Sequence, residues 1–344
     1  MTTNPFDAYR PPEPERRRTG NGPRRRRDES LMVPDVSFDS YYGRRIVKPA
    51  PWQKEIAAYL FLGGVAAGSA LLAAGGAVRG YPALRRAGRI AAVVAAAAGG
   101  AALTMDLGKP GRALNMMRTV KLTSPMSVGS WILAGFGGFS SLALVTEVGK
   151  AVTDGRSGVS RALALAEPPA TLGSALLAPP LAAYTAVLLS DTATPTWHES
   201  YRELPLVFVS SANSAASGLA LLSVPASQNG PARKLAAISA VTELVAFEQL
   251  RARLGPTLSE PLRTGRAGRL LTASTILTAA GALGAVALGR SRVGAALSGL
   301  ALVAGSACTR FGVFEAGLAS AVDPKYTVQP QRDRLEGRRT VSAP

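Results

Sequence analysis

Residues 59–78 read YLFLGGVAAGSALLAAGGAV, twenty residues without a charge. At the helical rise per residue such a run is about 30 Å long, the thickness of the hydrocarbon core of a bilayer. Pro51 and Trp52 precede it; proline is tolerated in a first helical turn and tryptophan favours the membrane–water boundary. Small residues four apart, as at Gly64 and Gly68, let helix backbones approach closely. Packing is the plainer reading of these two glycines and of Gly75.

Working outward, comparable runs recur at about 84–105, 128–148, 170–190, 204–224, 234–250, 270–288 and 293–322. The fold class this predicts is all-α: a polytopic membrane protein of eight transmembrane helices, with a four-plus-four division at the loop around His198. Residues 1–50 are expected to be a disordered basic tail, 51–323 the eight-helix domain and 324–344 a C-terminal tail. Pro179 and Pro180 remove two backbone donors within the fourth span and predict a kink or local opening there. Eight spans put both termini on one side. Lys and Arg outside the spans are more numerous on that side, so the positive-inside rule predicts cytoplasmic termini in the inner (plasma) membrane.

Composition agrees. In 344 residues, 47% are hydrophobic and only 6% aromatic. The net charge of +17 lies largely in the tail, in Arg16–Arg18 and Arg24–Arg27, and beside the apolar runs. Charge placed that way orients helices and attracts anionic lipid; it argues against nucleic acid. With one cysteine, Cys308, and one histidine, His198, the chain cannot form an internal disulfide, hold an iron–sulfur cluster alone or ligate a haem through two histidines. Any such redox centre is borrowed from a partner.

No phosphate-binding loop, HExxH, nucleophile elbow or CxxC is present. The chemistry-bearing groups are instead ionisable side chains in or beside apolar helices, where they are costly and commonly face a cavity, a partner charge or a pathway. Residues 106–131, DLGKPGRALNMMRTVKLTSPMSVGSW, gather an acid and four basic side chains between two apolar runs. Asp106 is followed by Lys109 and Arg112, a spacing that also suits a loop ion pair. Glu243, Glu248, Arg310 and Glu315 could form interhelical pairs or a proton relay. We expect Glu243 or Glu248 to meet Arg310, because an unpaired arginine costs at least about 2.5 kcal/mol on insertion scales. Glu147 suits a membrane boundary, and Tyr59, Tyr184 and Trp131 suit the core or an aromatic belt.

Six segments, YLFLGGVAAG, DLGKPGR, SPMSVGSW, YTAVLLSDTATPTW, LPLVFVSSANSAASG and RFGVFEAG, occur in that order over residues 52–328. Together they resemble the NrfD/polysulfide-reductase membrane-subunit family, the pairing of DLGKPGR with SPMSVGSW being the specific element. The resemblance implies an eight-helix membrane anchor that binds a quinone, menaquinone or ubiquinone, as an exchangeable substrate. It implies a ferredoxin-like iron–sulfur subunit as partner, often with a molybdopterin catalytic subunit. On the family's second-helix motif Asp106 becomes the first choice for the proton-handling acid. Lys109, Arg112 and Trp131 become choices for shaping the site or contacting the partner, with Tyr59 and His198 as further candidates. The long basic tail and the scarcity of histidine depart from the family pattern. A transporter or proton channel using the intramembrane Glu and Arg residues is the competing class, and a scaffold that only anchors the iron–sulfur subunit is a third. Reporter fusions at residues 20 and 335 are expected to fall on the cytoplasmic side; either one on the opposite side would overturn the predicted orientation.

Overall fold

The computed structural model describes residues 45–108, 111–118, 120–153 and 157–342, the side chains of 113, 114 and 336–342 aside. All but a few positions of the expected tail, and Lys109 with it, lie outside the described residues. Among those residues the chain forms helices and no strand. In order they are α1 (Lys54–Arg79), α2 (Pro82–Asp106), α3 (Arg112–Met116), α4 (Pro125–Val152), α5 (Gly158–Ser190), α6 (Pro195–Glu199), α7 (Leu204–Ser223), α8 (Gly230–Ser259), α9 (Gly265–Ala287), α10 (Arg292–Val322) and α11 (Lys325–Ser342).

Seven of them, α1, α2, α4, α5, α7, α9 and α10, are long and apolar enough to cross a membrane. The eighth long helix, α8, has 30 residues, about 45 Å where fully helical, and its charged residues Arg233, Lys234, Glu243, Glu248, Arg251 and Arg253 lower its hydropathy. It packs along α7 and α9 and completes the expected set of eight. Consecutive long helices are joined by short connections, so the start of α1, the α2–α4 connection, α6 and α11 share one end of the bundle, called here the terminal end. Neighbouring pairs α1/α2 and α4/α5 make one half; α7/α8 and α9/α10 make the other.

Local chemistry sets the helix ends. Gly80, at φ +72°, takes the left-handed conformation that ends α1, and the Tyr81 N–H closes on the Gly76 carbonyl at 2.8 Å. Ser124, Ser157 and Ser291 accept from backbone N–H groups in the first turns of α4, α5 and α10. One expectation changes. The fourth span begins at Gly158 rather than near 170, because Glu167 finds cationic partners and need not mark the helix end. Helix α5 also runs on through Pro168, Pro169, Pro179 and Pro180. At the C terminus, the expected tail forms α11.

The halves are held together by small residues. A Cβ on Gly68 would sit 2.7 Å from the Ala216 Cβ and 2.8 Å from the Ala212 carbonyl oxygen, so α1 touches the backbone of α7. Gly64 faces Ala212 in the same contact, whereas Gly75 faces open space. Within the second half the same device recurs: Gly218 of α7 meets Gly299 of α10, each lying against the other's carbonyl. In a bilayer, where lipid tails are as apolar as leucine, such contacts supply the packing energy that water supplies elsewhere. Gly68→Ile should therefore lower thermal stability by about 1–3 kcal/mol, the usual cost of overpacking, while Gly75→Ala should leave the melting temperature of the purified protein unchanged. Equal tolerance of both changes would contradict this contact.

Candidate functional site

Tyr59 lies five residues into α1 and Tyr184 six residues before the end of α5, depths of about 8 Å and about 9 Å from the terminal end. Their hydroxyls hydrogen bond to each other, with ring centroids 6.5 Å apart and planes tilted by 56°. Tyr59 is fully buried. A Cβ on Gly99 of α2 would be 3.4 Å from its ring, and Leu103, Leu133 and Ala102 pack in the same cluster. Tyr184 lies across Gly129 of α4, where any Cβ would overlap its ring. Four helices therefore enclose the pair, and Gly129 within SPMSVGSW is the residue that admits it. The hydroxyl contact is polar chemistry deep in an apolar wall: one O–H is donated inside the pair, and the acceptor's own O–H remains for a third group.

Asp106 ends α2 at the same end of the bundle and is partly exposed. Arg112, exposed on α3, points back to the Leu107 carbonyl at 3.4 Å and forms no ion pair with Asp106 among the described residues. Trp131 stands on the outer surface of α4, 42% exposed, two residues from Gly129. The Asp106 connection, Tyr59, Trp131 and His198 thus share an end of the bundle, and Tyr59 is the one of them whose side chain bonds another side chain of the first half among the described residues.

His198 belongs to a different locality. Its neighbour Trp197 is fully buried, donates to the Val313 carbonyl at 2.8 Å and stacks on Trp52 at 6.0 Å, which fixes α6 onto α10. That anchoring turns His198 outward, with its Nδ1 3.0 Å from the Ser190 carbonyl. It lines a cavity of about 440 Å³ with Asp191, Glu199, Tyr326, Gln331 and Arg334. Arg334 pairs with Glu199 at 3.2 Å. Burial and the Glu260 carboxylate push the Tyr326 phenol above its ordinary value.

The expected meeting of Arg310 with an acid takes a looser form: Glu243 faces it without a direct ion pair. The Arg310 side chain is fully buried, but neither Glu243 nor Glu248 is within ion-pair distance. Instead Nη2 donates to the Phe208 carbonyl at 2.5 Å, and the guanidinium lies 3.8 Å over the Phe208 ring. Gly64 leaves the notch that it occupies: a Cβ there would be 3.1 Å from Nη2. Glu248 pairs with Arg251 at 2.7 Å, and Glu315 lies 3.4 Å from Arg266. The unexpected ion pairs are at the opposite end. Glu147 is buried and meets Arg85 and Arg89 at 2.8 Å each and Arg86 at 3.4 Å; Arg89 also binds Glu167 at 2.8 Å, and Glu167 binds Lys150. Arg89 was hidden in the sequence inside the basic start of an apolar run, and Tyr184 looked like an ordinary core aromatic.

These features define a multi-pass helical membrane protein with buried polar groups in both halves. A family model described as polysulphide reductase, NrfD, matches residues 45–247, more than half of the chain, and the chain belongs to that family of oxidoreductase membrane subunits. The matched region holds the Tyr59–Tyr184 pair and ends within α8, before the RFGVFEAG segment. A search of curated proteins found no match.

Proposed function

We propose that this chain is the quinone-interacting membrane anchor of a multi-subunit oxidoreductase, passing electrons between a docked iron–sulfur subunit and the quinone pool of the inner membrane. The observation that carries the reading is the Tyr59–Tyr184 hydroxyl pair, enclosed by the first four long helices in a chain of the NrfD family. Reducing a quinone to a quinol consumes two electrons and two protons. A donor to a quinone carbonyl is required, and so is an acid that exchanges with water. The free O–H of the tyrosine pair fits the first need. Asp106, ending an apolar helix yet reaching solvent, fits the second.

The electrons must come from elsewhere, since one histidine and one cysteine provide neither cluster nor bis-histidine haem ligation. A ferredoxin-like subunit docked at the terminal end, close to the tyrosines, is the partner that this geometry suits, with a molybdopterin subunit behind it. Lys109, Arg112 and Trp131 are placed in this reading to shape that docking end, and His198 to border it. Cytoplasmic termini would put the docking end in the cytoplasm. The competing reading, a transporter or proton channel, loses half of its relay because Glu248 and Glu315 pair with arginines away from Glu243.

If Asp106 delivers protons, Asp106→Asn should leave the complex assembled while quinone-linked electron transfer falls about 10²-fold or more, the scale of a lost general acid–base. Tyr59→Phe should also lower that activity without reducing assembly. Assembled complex and quinone-linked activity are measured in the same membranes. Reduced abundance with normal activity per complex would instead assign Asp106 to a loop salt bridge and defeat its catalytic role.

A further inference from the structure

A second set of buried polar groups lies wholly in the other half, among α7, α8, α9 and α10. Glu243 is 3% exposed and sits 13 residues into α8, about 20 Å from the start of that helix. Thr309 of α10 donates to its Oε1 at 2.8 Å and is itself 2.5 Å from Ser274 of α9. Ser211 and Ser214 of α7 lie against the same carboxyl, and Ser211 donates to Ser306 of α10 at 2.9 Å. Among the described residues the charged group facing Glu243 is Arg310.

Many of these groups are left unsatisfied. Glu243 Oε2, Arg310 Nε and Nη1, and the hydroxyls of Ser214, Ser217 and Thr278 are buried without a hydrogen-bond partner in the protein. Each orphaned buried group costs about 1–3 kcal/mol, so a cluster of them in a membrane helix bundle calls for something that can both donate and accept. Water does both. Ser211, Ser214 and Ser217, three residues apart, share one face of α7, and each is fully buried. That face leads from Glu243 toward the end opposite the termini, where Asn229, also fully buried, has its amide oxygen unpartnered.

We propose that Glu243 is a proton-exchanging carboxyl, reached by internal water along the serine face of α7 from the end opposite the termini. The exchange is a simple ionisation: the carboxylic acid gives its proton to the adjacent water and takes one back. A tight ion pair would hold the carboxylate permanently charged. Only Nη2 of Arg310 finds a hydrogen-bond partner, the Phe208 carbonyl, and no guanidinium nitrogen is within ion-pair distance of Glu243, so the carboxyl is not locked in such a pair. The site is separate from the tyrosine pair and does not depend on a quinone binding there.

The test uses the purified full chain in lipid nanodiscs and infrared difference spectra after a pH step. A buried carboxylic-acid C=O band is expected that shifts when D2O replaces water, is absent in Glu243→Gln and persists in Glu248→Gln. A band unchanged by Glu243→Gln, or one that never exchanges with D2O, would overturn the proposal. Should Glu243→Gln fail to fold, the Ser214→Ala, Ser217→Ala double variant keeps the carboxyl. It should slow the exchange by about tenfold or more, the effect of roughly one lost hydrogen bond along the path, and an unchanged exchange rate would overturn the proposal equally.

Discussion

The approach of α1 to α7 is the contact on which the rest depends. Gly64 and Gly68 bring the α1 backbone against Ala212 and Ala216, and no larger side chain fits at Gly68 without moving a backbone carbonyl. From that contact the polar groups of both halves take their places. Tyr59, little more than a turn before Gly64, turns toward α2 and α5. Arg310, coming from the other half, fills the notch at Gly64. A bilayer gives polar groups no water in exchange, so each must be satisfied inside the protein or kept for a purpose.

The two ends of the first half show both outcomes. Near the end opposite the termini, Glu147 and Glu167 are met by Arg85, Arg86, Arg89 and Lys150, an ion-pair network in which both carboxylates are held by cations. Removing one member of such a buried pair typically costs about 3–5 kcal/mol, so it behaves as structure rather than as a reactive site. Near the terminal end, the tyrosine pair retains a free donor and Asp106 remains open to water. That contrast within a single set of four helices is what favours the terminal end as the place of the proposed quinone chemistry.

Much of the fold was legible in the sequence because bilayer thickness acts as a ruler: uncharged runs of about twenty residues leave little choice. Helix boundaries were harder. The α5 start was misjudged because Glu167 looks like a stop when only the chain is read, and Arg89 makes it a continuation only once α2 lies alongside. Arg310 was legible as a buried cation in need of a partner, but a carbonyl, a ring and a glycine notch from two other helices leave no trace in local sequence. Tyr184 was passed over for the same reason, since its meaning comes from Tyr59, 125 positions away. The position of Asp106 at the end of an apolar helix was legible; its role was suggested by family resemblance and not by any spacing.

The central claim is that quinone is handled beside Tyr59 and Tyr184. A photoreactive quinone analogue, activated in membranes that hold the assembled complex, tests it directly. The account predicts label on peptides of α1 and α5 around these two tyrosines, displaced by excess native quinone. Displaceable label confined to the opposite end, around Arg85 and Glu167, or label that native quinone does not displace, would contradict it.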